Sequence, residues 1–197
     1  MLNAARASIT SEQLHRHANV LADDALEGRE AGSRGGQAAA RYLEQQLKAA
    51  GLEPAASSGS YVQHFRGTMR NLLGKIPGHD PDVADEIILV GAHYDHVGYG
   101  SPQNSYGPWG YIHNGADDNA SGVAALLETI EAMQTVDYQP RRTILFAFWD
   151  GEEKNLLGSR HWVQTRGADL QQVRLAINVD MVGRMVAGKL IVGGTRT

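Results

Sequence analysis

A chain of 197 residues is long enough to bury one well-packed core and short for two. Its formal net charge of −4 and 20% charged residues leave no basic stripe for a nucleic-acid backbone, and no apolar run approaches the ~20 residues a bilayer span requires. Residues 1–6 lack the apolar centre of a secretion signal, and with no cysteine any metal has to be held by oxygen and nitrogen.

In chain order, two helices come first. Thr10 and Gln13 form a capping box ahead of Leu14, Ala18 and Leu21 at helical spacing. A glycine-rich break at residues 32–36 reads as a flexible turn. The second helix, roughly 36 to 50, carries Tyr42, Leu43 and Leu47 on one face and stops at Gly51. From about residue 70 the pattern becomes strand, loop, helix, strand. Strands are expected at 71–76, 86–92, 143–149 and 173–179, with a last one at 189–192. The long Gly/Ser/Pro/Asn segment 98–115 reads as a functional loop. Helices are expected from Val123 to Met133, capped near Asn119 or Ser121, and around 157–164. Alternating strands and helices predict one domain, a three-layer α/β/α sandwich with a mostly parallel mixed sheet. Its N-terminal helices lie at 10–50 and its α/β core at 70–197.

Four polar clusters follow the strands or the long loop: His93-Tyr94-Asp95, Asp117-Asp118, Glu152-Glu153 and Asp180. In parallel sheets ligands bind beyond the carboxyl ends of the strands, where all four fall. Gathering carboxylates and imidazoles in one place is costly without a cation, so the clusters predict a metal-centred hydrolytic site. His93 and Asp95, two apart on extended backbone, share a face, and Asp95 is suited to holding the imidazole or steering a neighbouring base; His96 faces the other way. One Asp at 117–118 complements a helix start, and a second is free to bridge two metal ions. Of Glu152 and Glu153, one can bind metal while the other takes a proton from water.

These residues resemble peptidase family M28, the co-catalytic zinc aminopeptidases. The matching motifs are Gly91-Ala92-His93-Tyr94-Asp95-His96, residues 114–122 around Asp117-Asp118-Asn119, Gly151-Glu152-Glu153 with Leu157-Gly158-Ser159, and Asn178-Val179-Asp180-Met181. The resemblance implies two Zn2+ ions in a complete site. His93 and Asp180 would hold one, Asp117 would bridge, and Glu153 would hold the other. Glu152 would be the general base to a metal-bridged hydroxide, Asp95 would support His93, and the Asp117-Asp118 peptide bond would be cis. Peptides would be the substrates, cut at their N-terminus, and an exported location is the family's usual one. The family's second zinc takes a further His well downstream of Asp180, and no His follows His161 here. A chain incomplete at the C-terminus is the expectation, with one well-formed zinc site, His113 as a possible stand-in, and an exposed surface favouring self-association. Two alternatives stand beside this reading: a glutaminyl-cyclase-like single-zinc acyltransferase and an inactive metal-binding peptidase fragment.

Overall fold

The computed structural model describes residues 1–185, 188, 189 and 191–194. Five α-helices are present among them: α1 (Leu2–Ser8), α2 (Ser11–Leu21), α3 (Arg34–Ala49), α4 (Gly122–Thr135) and α5 (Leu157–Arg166). Six strands, β1 (Glu53–Pro54), β2 (Val62–Phe65), β3 (Met69–Ile76), β4 (Ile87–His93), β5 (Thr143–Trp149) and β6 (Val173–Asn178), form one sheet. Its order is β1-β3-β5-β4-β6, with β2 beside β3. β4 runs parallel to both β5 and β6, whereas β3 is antiparallel to β1, β2 and β5. The sheet is therefore mixed, and its parallel part brings the carboxyl ends of β4, β5 and β6 to one edge.

Alternation along β5 makes the three layers. Ile144, Phe146 and Phe148 pack on one face with Leu21 of α2, Leu43 and Leu47 of α3, and Leu126 and Ile130 of α4. Leu145, Ala147 and Trp149 pack on the other, where the Trp162 ring of α5 lies 5.8 Å from Trp149. The expected α/β/α sandwich is what the chain forms. No helix among the described residues is long and apolar enough to cross a membrane.

Local signals explain several boundaries. Thr10 accepts the Gln13 amide at 3.2 Å at the start of α2, and Gly51, at φ +70°, ends α3 in the left-handed region. At α4 the N-cap position is Ser121, whose side chain makes no cap bond, and Asn119 Oδ1 from the preceding turn accepts the Gly122 amide at 3.0 Å. The glycine-rich stretch differs from its reading as a flexible turn. Ser33 caps α3 by accepting the Gly36 amide at 3.1 Å, and a side chain at Gly35 would run into the Leu26 carbonyl. These glycines permit close packing of α3 on the helical turn Asp24–Arg29. α1, β1 and β2 carry no sequence signal of their own: all three are short, and β1 and β2 sit at the sheet margin, where pairing with β3 decides their state. The strand expected at 189–192 includes Leu190, which lies outside the described residues.

Candidate metal centre

β4 ends at His93, a buried residue held between a backbone hook and two carboxylates. Its Nδ1 lies 3.2 Å from the Asp95 carbonyl oxygen and donates to it, which turns the Nε2 lone pair the other way. Nε2 is 3.2 Å from Asp118 Oδ1 and 3.4 Å from Asp180 Oδ1. Ligands on a tetrahedral zinc with bonds of about 2.0–2.1 Å stand about 3.3 Å apart, so these three donors fit such an ion. A second group shares Asp118. His96 Nδ1 is 2.8 Å from Glu153 Oε1 and 3.9 Å from Asp118 Oδ2. Asp118 thus offers one oxygen to each group, and the donors within each group lie within 4.8 Å of one another.

The turn after β5 is held from below. Asp95, fully buried, accepts the amide of Glu152 through Oδ1 at 3.0 Å and that of Glu153 through Oδ2 at 3.3 Å. Its carboxylate is a longer 3.7 Å from His93 Nδ1. The Asp95 side chain therefore positions the two glutamates, while its backbone carbonyl orients the imidazole.

The electrostatics are those of a site short of positive charge. Burial opposes a charge on His93, but Asp118, Asp180 and Asp95 outweigh it and push its pKa up to about 12. A divalent cation would relieve the same excess of carboxylate and take the imidazole in its neutral form. Glu152 is pushed up, first by burial and then by Glu153, Asp95 and Asp180, with His93 opposing. That direction makes the carboxylate a better proton acceptor than a solvent-exposed glutamate.

Arg29 completes the frame. Its fully buried guanidinium donates to the carbonyls of Tyr94 (2.8 Å), Asn114 (2.6 Å), Gly115 (2.9 Å) and Leu21. Burial lowers its pKa to about 10, with Asp95, Asp118 and Glu153 pulling the other way, so it stays charged at neutral pH. One side chain ties the end of α2, the end of β4 and the approach to Asp118 together.

The family model for peptidase family M28 matches residues 71–197. The chain belongs to peptidase family M28. It is 32% identical over 189 residues to a probable leucine aminopeptidase 1 of Trichophyton verrucosum, a match covering 92% of this chain and 48% of that protein. Among solved structures, the LapA aminopeptidase of Legionella pneumophila superposes with a TM-score of 0.70 at 23% identity, over 91% of this chain and 44% of that one. Glutaminyl cyclase of Porphyromonas gingivalis does so at 0.69 and 21%, over 89% and 62%. At those identities the likeness speaks for the fold. The chain spans about half the length of the fungal relative.

In this M28 chain the geometry gathers His93, Asp180, Glu153, Glu152 and Asp95, but puts Asp118 where Asp117 was expected. Asp117 belongs to a helical turn, and Asp118 breaks out of it with φ −102° and ψ 98°, so the two carboxylates diverge. Asp117 Oδ1 accepts the Gly183 amide at 2.9 Å, and Oδ2 lies 3.7 Å from Arg184 Nε. The cis peptide is likewise one bond later, at Asp118-Asn119. His96, expected to face away, lies at the site because the chain leaves strand geometry after His93. His113 stays in the long loop, its Nε2 2.9 Å from the Pro108 carbonyl oxygen. Arg29 carried no metal-ligand signal in the sequence.

Proposed function

We propose that this chain carries the catalytic half-site of a zinc-dependent exopeptidase that removes N-terminal residues from peptides. The observation supporting it most directly is Asp118, one carboxylate facing two donor groups built of nitrogen and oxygen. His93 and Asp180 would hold one zinc together with Asp118, and Glu153 would hold the second with the same Asp118. His96 keeps Glu153 turned inward. Bound there, zinc would supply an acidified water and a Lewis acid for the scissile carbonyl.

The protein's own groups do the remaining work. Glu152, stationed by the hydrogen bond its backbone N–H donates to Asp95, accepts the water's proton and returns it to the departing amine. Arg29 keeps the loops carrying Asp118 and Asp95 from shifting relative to each other.

The test is release of N-terminal residues from peptides by the zinc-loaded protein, alongside N-acetylated copies of the same peptides. Release confined to free N-termini is expected, and Glu152→Gln should lower kcat about 10²–10⁴-fold with zinc content unchanged. Glu152→Gln that is fully active, or acetylated peptides cut equally well, would overturn the reading. A second reading, a glutaminyl-cyclase-like acyltransferase, draws on the shared fold; cyclisation of N-terminal glutamine peptides without hydrolysis would favour it.

A further inference from the structure

On the helical layer, away from the carboxyl ends of the strands, α2, α3 and α4 bring a second set of donor groups together. His17 and Glu128 are each 1% exposed, and His17 Nε2 lies 3.2 Å from Glu128 Oε1. Neither atom makes a hydrogen bond. The two groups form a close ion-pair contact without hydrogen-bond geometry, so both buried atoms have capacity left for a further partner inside an otherwise apolar helix interface. The opposite ring nitrogen is satisfied: His17 Nδ1 is 2.6 Å from the Tyr42 hydroxyl. That arrangement fixes the ring with Nε2 toward α4, as an outer hydrogen bond does for a metal-bound histidine.

Glu131, one turn beyond Glu128, supplies the third donor, and all three donor atoms lie within 4.8 Å of one another. Glu131 Oε2 accepts from Gln13 Nε2 at 3.3 Å, and Oε1 is 3.9 Å from Arg16. Its side chain is 39% exposed, so the third donor reaches solvent while the other two are buried. Arg16, 58% exposed, is among the described residues the one cationic side chain paired with this group, and its contact is to Glu131. The 3.2 Å separation of His17 and Glu128 equals an edge of a tetrahedral zinc site, about 3.3 Å.

We propose that His17, Glu128 and Glu131 form a divalent transition-metal site of the zinc class, separate from the catalytic centre, that staples α2 to α4. One imidazole nitrogen with two carboxylate oxygens favours zinc or cobalt over calcium or magnesium. The ion would fix the helix whose last carbonyl, that of Leu21, receives Arg29. This assignment stands whether or not the catalytic reading does.

The experiment measures zinc and cobalt stoichiometry of the full chain in an Asp118→Asn background, which removes the carboxylate common to both catalytic groups. One bound equivalent is expected to remain, with a rise in Tm on adding zinc. Adding the near-isosteric Glu131→Gln or Glu128→Gln should abolish both. Tyr42→Phe, which removes only the outer partner of His17, should weaken the residual binding on the order of 10–100-fold. A residual equivalent untouched by either Gln replacement would overturn the proposal, as would a cooperatively folded Asp118→Asn protein that binds no metal.

Discussion

Replacing Asp118 by Asn removes an oxygen donor from both groups around the proposed metal centre, whereas Asp117→Asn removes an acceptor for the Gly183 amide. Metal analysis after zinc loading should find the catalytic ions lost from the first variant and kept by the second. The opposite result would restore Asp117 as the bridging ligand. Asp150 sets a different test. Burial, more than any other influence, raises its pKa from 3.8 to about 6, and Oδ1 has no hydrogen-bond partner. The folded state therefore prefers the protonated acid. That preference is fully present below the unfolded pKa and is lost as pH rises through about 6. The shift corresponds to about 3 kcal/mol. Asp150→Asn, which mimics the neutral form, should gain stability over the parent by up to that amount between pH 4 and pH 7. Denaturant titrations of both proteins giving parallel pH curves would contradict this. At this scale the sequence was informative about which residue types gather, because carboxylates and imidazoles placed after apolar strands are carried to one sheet edge, where a cation lowers the cost of their meeting. It was uninformative between Asp117 and Asp118, because that choice depends on the two dihedral angles at which Asp118 leaves its turn.

The elements divide by how much of their stability is local. β4 and β5, continuous runs of apolar β-formers, were legible almost to the residue, and α2 and α3 announced themselves through Thr10 and Gly51. The helical turn Asp24–Arg29 was not, since nothing local specifies it: Glu27 and Gly28 take left-handed angles, and the turn presents Arg29 to four carbonyls. Arg29→Ala would leave those acceptors buried without a donor. A loss of roughly 3–5 kcal/mol is expected, read as a lower denaturation midpoint, with zinc affinity at the proposed centre falling alongside it. Stability within about 0.5 kcal/mol of the parent would mean water replaces the guanidinium at little cost. His96 departs from its expected direction for a related reason, as strand alternation applies only while the strand continues, and β4 ends at His93.

At the scale of the molecule, the parallel part of the sheet places the centre, and the helical layer holds the loops that complete it. β6 pairs only with β4 among the described residues and leaves Leu175 and Ile177 half exposed, so the sheet's far margin offers apolar surface and unpaired backbone. The family match begins at Asn71, yet Arg29 lies 42 positions upstream of it. A protein trimmed to residues 71–197 would keep every proposed catalytic ligand and lose α2 and α3 with the core leucines they contribute. It should melt without a cooperative transition in calorimetry, and a sharp transition would show the helical layer to be dispensable. Arg29 thus makes the start of the family match a poor place to cut. The loops that carry Asp118 and Asp95 are tied together by a buried guanidinium that trimming at Asn71 would discard, so a shortened version of this chain has to begin upstream of Arg29 to keep that tie.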